Sequence, residues 1–316
     1  MSISRYITVE EVVNRALTEC GLAESTDVIN DTNLSVVQMR RLLTTCGQSL
    51  VEAYEWEILR REYSRTTVDG DYIMEISSLS GALTVGETVT GGSSGATGVV
   101  VSTNSANDEL FLDTVSGSFT YGETITGDMS SETATVDYPA VNNGNFPLPS
   151  DFGYMIDQTG WDRTNDISLG GPLSAQQWQY LQGRGLNSST IYATFRITEN
   201  RFQIYPQPPS IGLDLRFEYI SRNWMQDAVT LSTYHDSVEA NADVVLFKPS
   251  MIVAYLRYKF LSAKGFNAQD AENDFAKAYA EATGSNKGAP VVNIGLSRRG
   301  IHYLDHRNVP DSGYGS

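Results

Sequence analysis

The side chains able to do chemistry in this chain are few and scattered. There are three histidines, His235, His302 and His306. His302 and His306 stand four apart, a spacing that puts two imidazoles on one helix face as zinc ligands. No Glu-x-x-His context accompanies them and glycine and proline flank them, so they read as surface or interface histidines. Gly91-Gly92-Ser93-Ser94-Gly95 has the glycine content of a phosphate-cradling loop. It lacks the lysine and the following helix that such a loop needs, so it reads as a strand turn. Asp69-Gly70-Asp71 offers half a calcium loop without the remaining ligands or the terminal glutamate, and reads as a hairpin turn. Cys20 and Cys46 fall at apolar positions of expected helices with no catalytic signature around them. They are expected to be buried free thiols of a protein made in a reducing compartment. Carboxylates are plentiful, but nothing in their spacing singles out a glycosidase pair. Trp161, Trp178 and Trp224, with Tyr180 and Tyr192, have the rings to stack on sugars, and equally to anchor a core or a subunit interface. The sequence therefore predicts no catalytic site, no cofactor and no metal.

The elements that must position these residues are marked more clearly than the residues themselves. Val85-Gly86-Glu87-Thr88-Val89-Thr90-Gly91 recurs as Tyr121-Gly122-Glu123-Thr124-Ile125-Thr126-Gly127, 36 residues later. Gly95-Ala96-Thr97-Gly98-Val99-Val100 lines up with Ser131-Glu132-Thr133-Ala134-Thr135-Val136 at the same offset. A period of this size marks a duplicated supersecondary unit. Its Thr, Val and Gly content predicts short strands joined by glycine turns. The module is expected over residues 80–141, inserted into a mixed host and separable from it, so that its deletion leaves the host folded.

In the host, Thr8 and Glu11 form a capping box ahead of Val9, Val12, Val13, Ala16, Leu17 and Cys20 at helical spacing, with Gly21 as C-cap. Asp31-Thr32-Asn33 starts a second helix whose apolar face runs from Val36 to about Leu59. Residues 61–68 and 72–76 are expected to form a hairpin about Asp69-Gly70. A short helix is expected at 175–182, and strands at 201–205 and 213–221 with the loop 206–212 between them. Pro249 suits the first position of a helix running to Ala263, and Asn267 caps a last one bearing Ala271, Phe275, Ala278, Tyr279 and Ala282. From Gly284 the chain loses its periodicity.

The formal net charge is −16 over 316 residues, with an isoelectric point near 4.5. Such a surface does not grip a phosphate backbone over its whole extent. The segment 284–316 departs from it: Lys287, Arg298, Arg299 and Arg307 against Asp305 and Asp311 make it about +2, leaving about −18 for the rest. A basic, aromatic-bearing arm on an acidic body is the pattern of an interaction tail. The N-terminal residues lead directly into the helix cap and no long apolar run follows, so neither a signal peptide nor a membrane span is expected.

Several motifs, in order, resemble one known family. They are Phe146-Pro147-Leu148-Pro149-Ser150-Asp151-Phe152, Trp161-Asp162-Arg163-Thr164, Gly171-Pro172-Leu173-Ser174 with Trp178, Phe202-Gln203-Ile204-Tyr205-Pro206, Phe217-Glu218-Tyr219-Ile220-Ser221, and Pro249 with its helix and Ala263-Lys264-Gly265. Together they resemble the head-to-tail adaptors of short-tailed bacteriophages, the class that includes tail tubular protein A. The resemblance covers about residues 1–79 and 142–290; the repeat module interrupts it.

The fold expected is α+β. A helical bundle (8–21, 33–59, 249–264, 268–283) packs on an antiparallel β region (60–79, 146–221). The body, 1–79 plus 142–283, carries an inserted sandwich- or barrel-like module and an extended C-terminal arm. The resemblance implies a virion structural protein, not an enzyme: a ring of twelve copies joining the portal protein to the tail nozzle protein, through which DNA passes without specific binding. Its arm, with Arg298, Arg299, Tyr303 and Arg307, is expected to clasp the portal. Arg40, Arg41, Arg257, Lys259, Trp161 and Trp178 are expected at subunit contacts. The inserted module is left with three roles: contact with tail fibres, contact with the capsid, or widening of the ring. The alternative is a carbohydrate-binding or adhesion protein of the phage tail with the module as its binding element.

Overall fold

The computed structural model describes residues 6–184 and 193–286. Thr8 caps α1 (Val9–Glu19), its hydroxyl accepting from the Glu11 N–H at 3.2 Å. Asn33 caps α2 (Leu34–Ala53) by accepting from the Ser35 N–H at 3.0 Å. The expected helix to residue 59 ends at Ala53. Tyr54 is extended, a 3-10 turn follows at Glu57–Leu59, and the Trp56 indole folds back to donate to the Leu50 carbonyl at 2.6 Å. That bond satisfies one of the carbonyls a helix end leaves open. The remaining helices are α3 (Ala175–Arg184), α4 (Pro249–Ala263) and α5 (Gln269–Asn286).

Helices α1, α2, α4 and α5 share one apolar core with Trp56, Trp224 and Phe247. Tyr255 of α4 stacks on Phe275 of α5 with ring centroids 4.2 Å apart. Gly47 of α2 lies against the Trp224 indole, where any Cβ would collide with the ring. Gly47→Ala is therefore expected to destabilise the fold by about 1–3 kcal/mol, as overpacking does. Urea denaturation checks this; an unshifted midpoint would mean that Trp224 can move aside. Of the two thiols, Cys46 is buried and Cys20 only partly so. Burial pushes the Cys46 thiol up to about 12.

The strands in chain order are β1 (Arg60–Thr66), β2 (Tyr72–Ser77), β3 (Thr88–Gly91), β4 (Thr97–Asn104), β5 (Glu109–Ser116), β6 (Thr124–Gly127), β7 (Thr133–Asn142), β8 (Asn145–Pro147), β9 (Phe152–Met155), β10 (Trp161–Asp162), β11 (Ile167–Ser168), β12 (Thr194–Thr198), β13 (Arg201–Tyr205), β14 (Asp214–Ser221), β15 (Met225–Gln226), β16 (Tyr234–His235) and β17 (Val244–Val245). The fold is mixed α+β. One sheet runs β1-β14-β10-β11, with β9 also on β14; a second runs β12-β13-β8; a small third is β16-β15-β17. The first two enclose an aromatic core of Tyr63, Phe146, Phe195, Phe202 and Phe217. Strands β13 and β14, neighbours in sequence, belong to different sheets of this sandwich.

The repeat module is a closed barrel in the order β2-β5-β4-β3-β6-β7. Its pairing repeats at the period of the sequence. Thr88↔Val99, Val89↔Gly98 and Thr90↔Thr97 become Thr124↔Thr135, Ile125↔Ala134 and Thr126↔Thr133, each 36 residues later. The β2–β7 pairs Glu75↔Tyr138 and Ile76↔Val136 likewise match Phe111↔Ser102 and Leu112↔Val100 of β5–β4. The two remaining seams pair each strand with its own duplicate, Thr90 opposite Thr126 and Met74 opposite Leu110. The barrel is thus two copies of a three-stranded unit related by a pseudo-two-fold axis through those two seams. Closure removes the free edges that a single unit would expose.

Two expectations are corrected here. Residues 61–68 and 72–76 do not form a hairpin: β1 pairs with β14, and β2 pairs with β5 and β7. The reason lies in β2, which is apolar on both faces. Ile73 enters the aromatic core of the body, while Met74 and Ile76 enter the barrel. The module therefore begins at Tyr72, not at residue 80, and closes at Asn142. Deleting residues 80–141 would strip β2 of both neighbours and remove Phe111, which is buried in the body core. The module is not separable at those boundaries.

Candidate functional site

The arm residues Arg298, Arg299, Tyr303 and Arg307 lie outside the described residues, as do His302, His306 and Tyr192. The structure does not gather the other expected contact residues into one place. Arg40 and Arg41 sit on α2, beside a shallow hollow completed by Thr44, Thr45, Ser237 and Val238. The Arg40 guanidinium donates to the Ile29 carbonyl, and Arg41 is exposed. Arg257 points between helices, 3.7 Å from Glu19 of α1 and 3.5 Å from Asp274 of α5. Its charge is occupied within the chain. Lys259, two positions on, lies over the rings of Tyr255 and Tyr258 at 5.3 and 5.9 Å. Trp161 keeps 38% of its surface exposed on β10. Trp178 retains 1% and is covered by Arg196, whose guanidinium lies 4.3 Å from its ring. It is a core anchor and has no ring face to offer another subunit.

The buried charges, which sequence reasoning did not single out, are concentrated in and under the barrel. Glu75 and Glu109 stand directly opposite each other on β2 and β5. Like charges in that register repel. Each is met by an arginine from the body. Arg65 of β1 holds Glu109 with contacts of 2.6 Å, both side chains almost wholly buried, and Arg201 of β13 holds Glu75. Arg65 also lies 4.5 Å from the Phe146 ring and 5.8 Å from Phe111; Arg201 lies 3.6 Å from Tyr138. These two ion pairs fix the barrel to the sandwich.

Inside the barrel, the duplicated glutamates clasp across the pseudo-two-fold. Glu87, in the first repeat, accepts from the N–H groups of Met129 and Ser130 and from the Ser130 hydroxyl, all in the second repeat. Glu123, in the second, accepts from the N–H groups of Ser93 and Ser94 and from both their hydroxyls. Each also accepts from the N–H three residues before it, Thr84 or Thr120. The exchange explains the closing glycine of the motif. A Cβ on Gly91 would stand 2.7 Å from a Glu123 oxygen, and one on Gly127 would stand 2.5 Å from a Glu87 oxygen. Burial raises the carboxyl of Glu123, but the N–H groups of Thr120, Ser94 and Ser93 and the Ser94 hydroxyl, all donating to it, outweigh that and hold it at about 2. Glu87 is shifted down for the same balance of causes. The signal was legible: a glutamate recurring at a strand start in both repeats, always after glycine.

His235 lies 3.1 Å from the buried Asp243 carboxylate, which also accepts from the Ala240 N–H at 2.7 Å. The Asp243 and Asn241 carbonyls accept from the Val9 and Glu10 N–H groups of α1, so this loop closes the first turn of that helix. Its histidine has a structural post. Among the described residues no group of three His, Cys, Asp or Glu side chains could hold a metal ion, and no helix is long and apolar enough to cross a membrane. Comparison with known protein families finds no family model that matches this chain, and comparison with curated proteins finds none that matches it.

Proposed function

We propose that this chain is a structural protein of a bacteriophage virion, a head-to-tail adaptor that assembles into a ring between portal and tail nozzle. The observation that carries this reading is the ordered set of motifs from Phe146 to Gly265, which resembles that of such adaptors and falls in the sandwich and helices of the body. Phe146, Phe202 and Phe217, from three of the motifs, meet in the aromatic core, while the Pro249 helix packs in the helical core. Two further features support the reading. The buried ionic side chains Arg65, Glu87, Glu109, Glu123, Arg201 and Asp243 are engaged in bonds that hold the fold. Outside the basic arm the chain carries about −18, module included, and a channel wall of that sign repels a DNA backbone and keeps it mobile. Twelve copies would carry roughly −190 in all, so part of that charge must be offset at subunit contacts or by cations.

In this reading the ring is lateral and homo-oligomeric, with exposed Arg41 and Trp161 and half-buried Lys259 as its candidate contacts. The basic arm reaches the portal, and DNA passes through without specific contacts. Native mass spectrometry with negative-stain imaging tests it, on the protein alone and mixed with the matching portal. A ring, or a ring formed only with portal, is the expected result, and truncation after Asn286 is expected to abolish portal binding while the melting temperature is kept. A monomer indifferent to portal would sink the reading.

A further inference from the structure

Helix α2 keeps one face outside the helical core. Val36, Met39, Leu43, Cys46 and Leu50 lie in that core. On the opposite side Leu34, Gln38, Arg41, Thr45, Gln48 and Glu52 follow one another at steps of four, three, four, three and four. That spacing holds side chains in one stripe along a helix, as in the seam of a coiled coil. Five of the six are exposed and Gln38 is half-buried; Leu34 keeps 82% of its surface in water.

Arg41 and Glu52 are the two charged members of the stripe, and neither side chain has a partner among the described residues. They stand about 16 Å apart along the helix axis, too far to meet each other. Their signs are opposite, and the midpoint between them is also the midpoint between Thr45 and Gln48. A second copy laid antiparallel, about a two-fold axis between Cys46 and Gly47, therefore sets its Glu52 against Arg41 and its Arg41 against Glu52. The same axis sets Thr45 of each copy against Gln48 of the other. Leu34 is carried past Ala53 of the second copy, where Glu52 opens onto a hollow lined by Tyr54, Glu55 and Tyr154. The rings there offer the apolar contact that Leu34 lacks in its own chain. A partner of one charge sign would leave Arg41 or Glu52 unmatched, whereas a copy of the same face matches both.

We propose that the outer face of α2 is the contact of an isologous dimer of this chain, with Arg41 of each copy on Glu52 of the other and Leu34 at both ends. Such a contact closes on itself, so it joins two copies and is separate from the lateral contacts of a ring. A ring that engages Arg41 has to open it. The pair forms between free copies and does not depend on the adaptor reading.

Sedimentation velocity on the full chain, from about 1 μM to about 100 μM, tests it. A monomer–dimer equilibrium that weakens with added salt is expected. Arg41→Glu and Glu52→Arg are each expected to lower the association constant about tenfold or more, because each puts two like-charge pairs into the contact. The double variant Arg41→Glu with Glu52→Arg restores both pairs with their signs exchanged and is expected to recover the dimer. Both side chains are exposed, and far-UV circular dichroism confirms that each variant is folded. A wild-type chain that stays monomeric throughout would overturn the proposal. So would dimers or larger assemblies indifferent to the single reversals, or a double variant that stays apart.

Discussion

Replacing Glu123 by alanine is expected to destabilise the barrel by about 3–5 kcal/mol, among the largest effects of any single change in the chain. The carboxylate is the shared acceptor of the Thr120, Ser93 and Ser94 N–H groups and two serine hydroxyls. Removing it leaves those donors facing a void at the junction of the repeats. Glu87→Ala should do the same at the related site, and the double variant should cost less than the sum, because each change already loosens the same seam. Chemical denaturation followed by far-UV circular dichroism measures this; a loss below about 1 kcal/mol would mean that water replaces the carboxylate. The pH dependence follows in sign. The folded carboxyl of Glu123 titrates at about 2, below the ordinary carboxylate value near 4.3. Its contribution is therefore fully present above about pH 4.3 and is lost as pH falls toward 2. Glu123→Ala should flatten that acid limb of the stability curve.

Arg65→Ala is expected to cost about 3–5 kcal/mol, because it strands Glu109 as a buried charge. Glu109 also faces Glu75 across the β2–β5 seam, so the unpaired carboxylate meets a like charge as well as a low dielectric. The paired replacement Arg65→Met with Glu109→Leu removes both charges and should recover most of the loss. The measurement is a double-mutant cycle in urea. Additive losses would show that the two side chains do not act as a pair. The effect should reach the body as well as the barrel, since Arg65 lies against Phe146 in the aromatic core. Thermal unfolding of Arg65→Ala is accordingly expected to remain a single transition at lower temperature. Two separate transitions would show that the barrel and the sandwich melt independently.

These two sites differ in how far they could be read in advance. The glutamate of each repeat was visible, because the motif Gly-Glu-Thr-x-Thr-Gly repeats with its glutamate intact. A charged residue kept twice at the mouth of a short strand signals a local hydrogen-bonding task. Arg65 and Arg201 gave no such signal. Nothing in the spacing of a lone arginine tells whether it ends in water or against a carboxylate 44 or 126 positions away. Trp178 was equally silent about its burial, and Arg257 about the two carboxylates it spans.

What the sequence by itself determined is local. Thr8, Asn33, Asn267 and Pro249 set helix starts through bonds or φ angles within three residues, and they stand where expected. The 36-residue period marked the module because both copies must satisfy the same turns. The tertiary structure decided what no local rule reaches. Tyr72-Ile73-Met74-Glu75-Ile76 and Asp108-Glu109-Leu110-Phe111-Leu112 occupy equivalent places in the barrel, yet share no identical residue in register. The first strand of each unit faces the body and was shaped by it, Ile73 and Phe111 by the aromatic core, Glu75 and Glu109 by arginines. Where a strand serves two cores, its pattern averages over both environments. Its membership is then fixed by which neighbours bury it, not by the turn that precedes it.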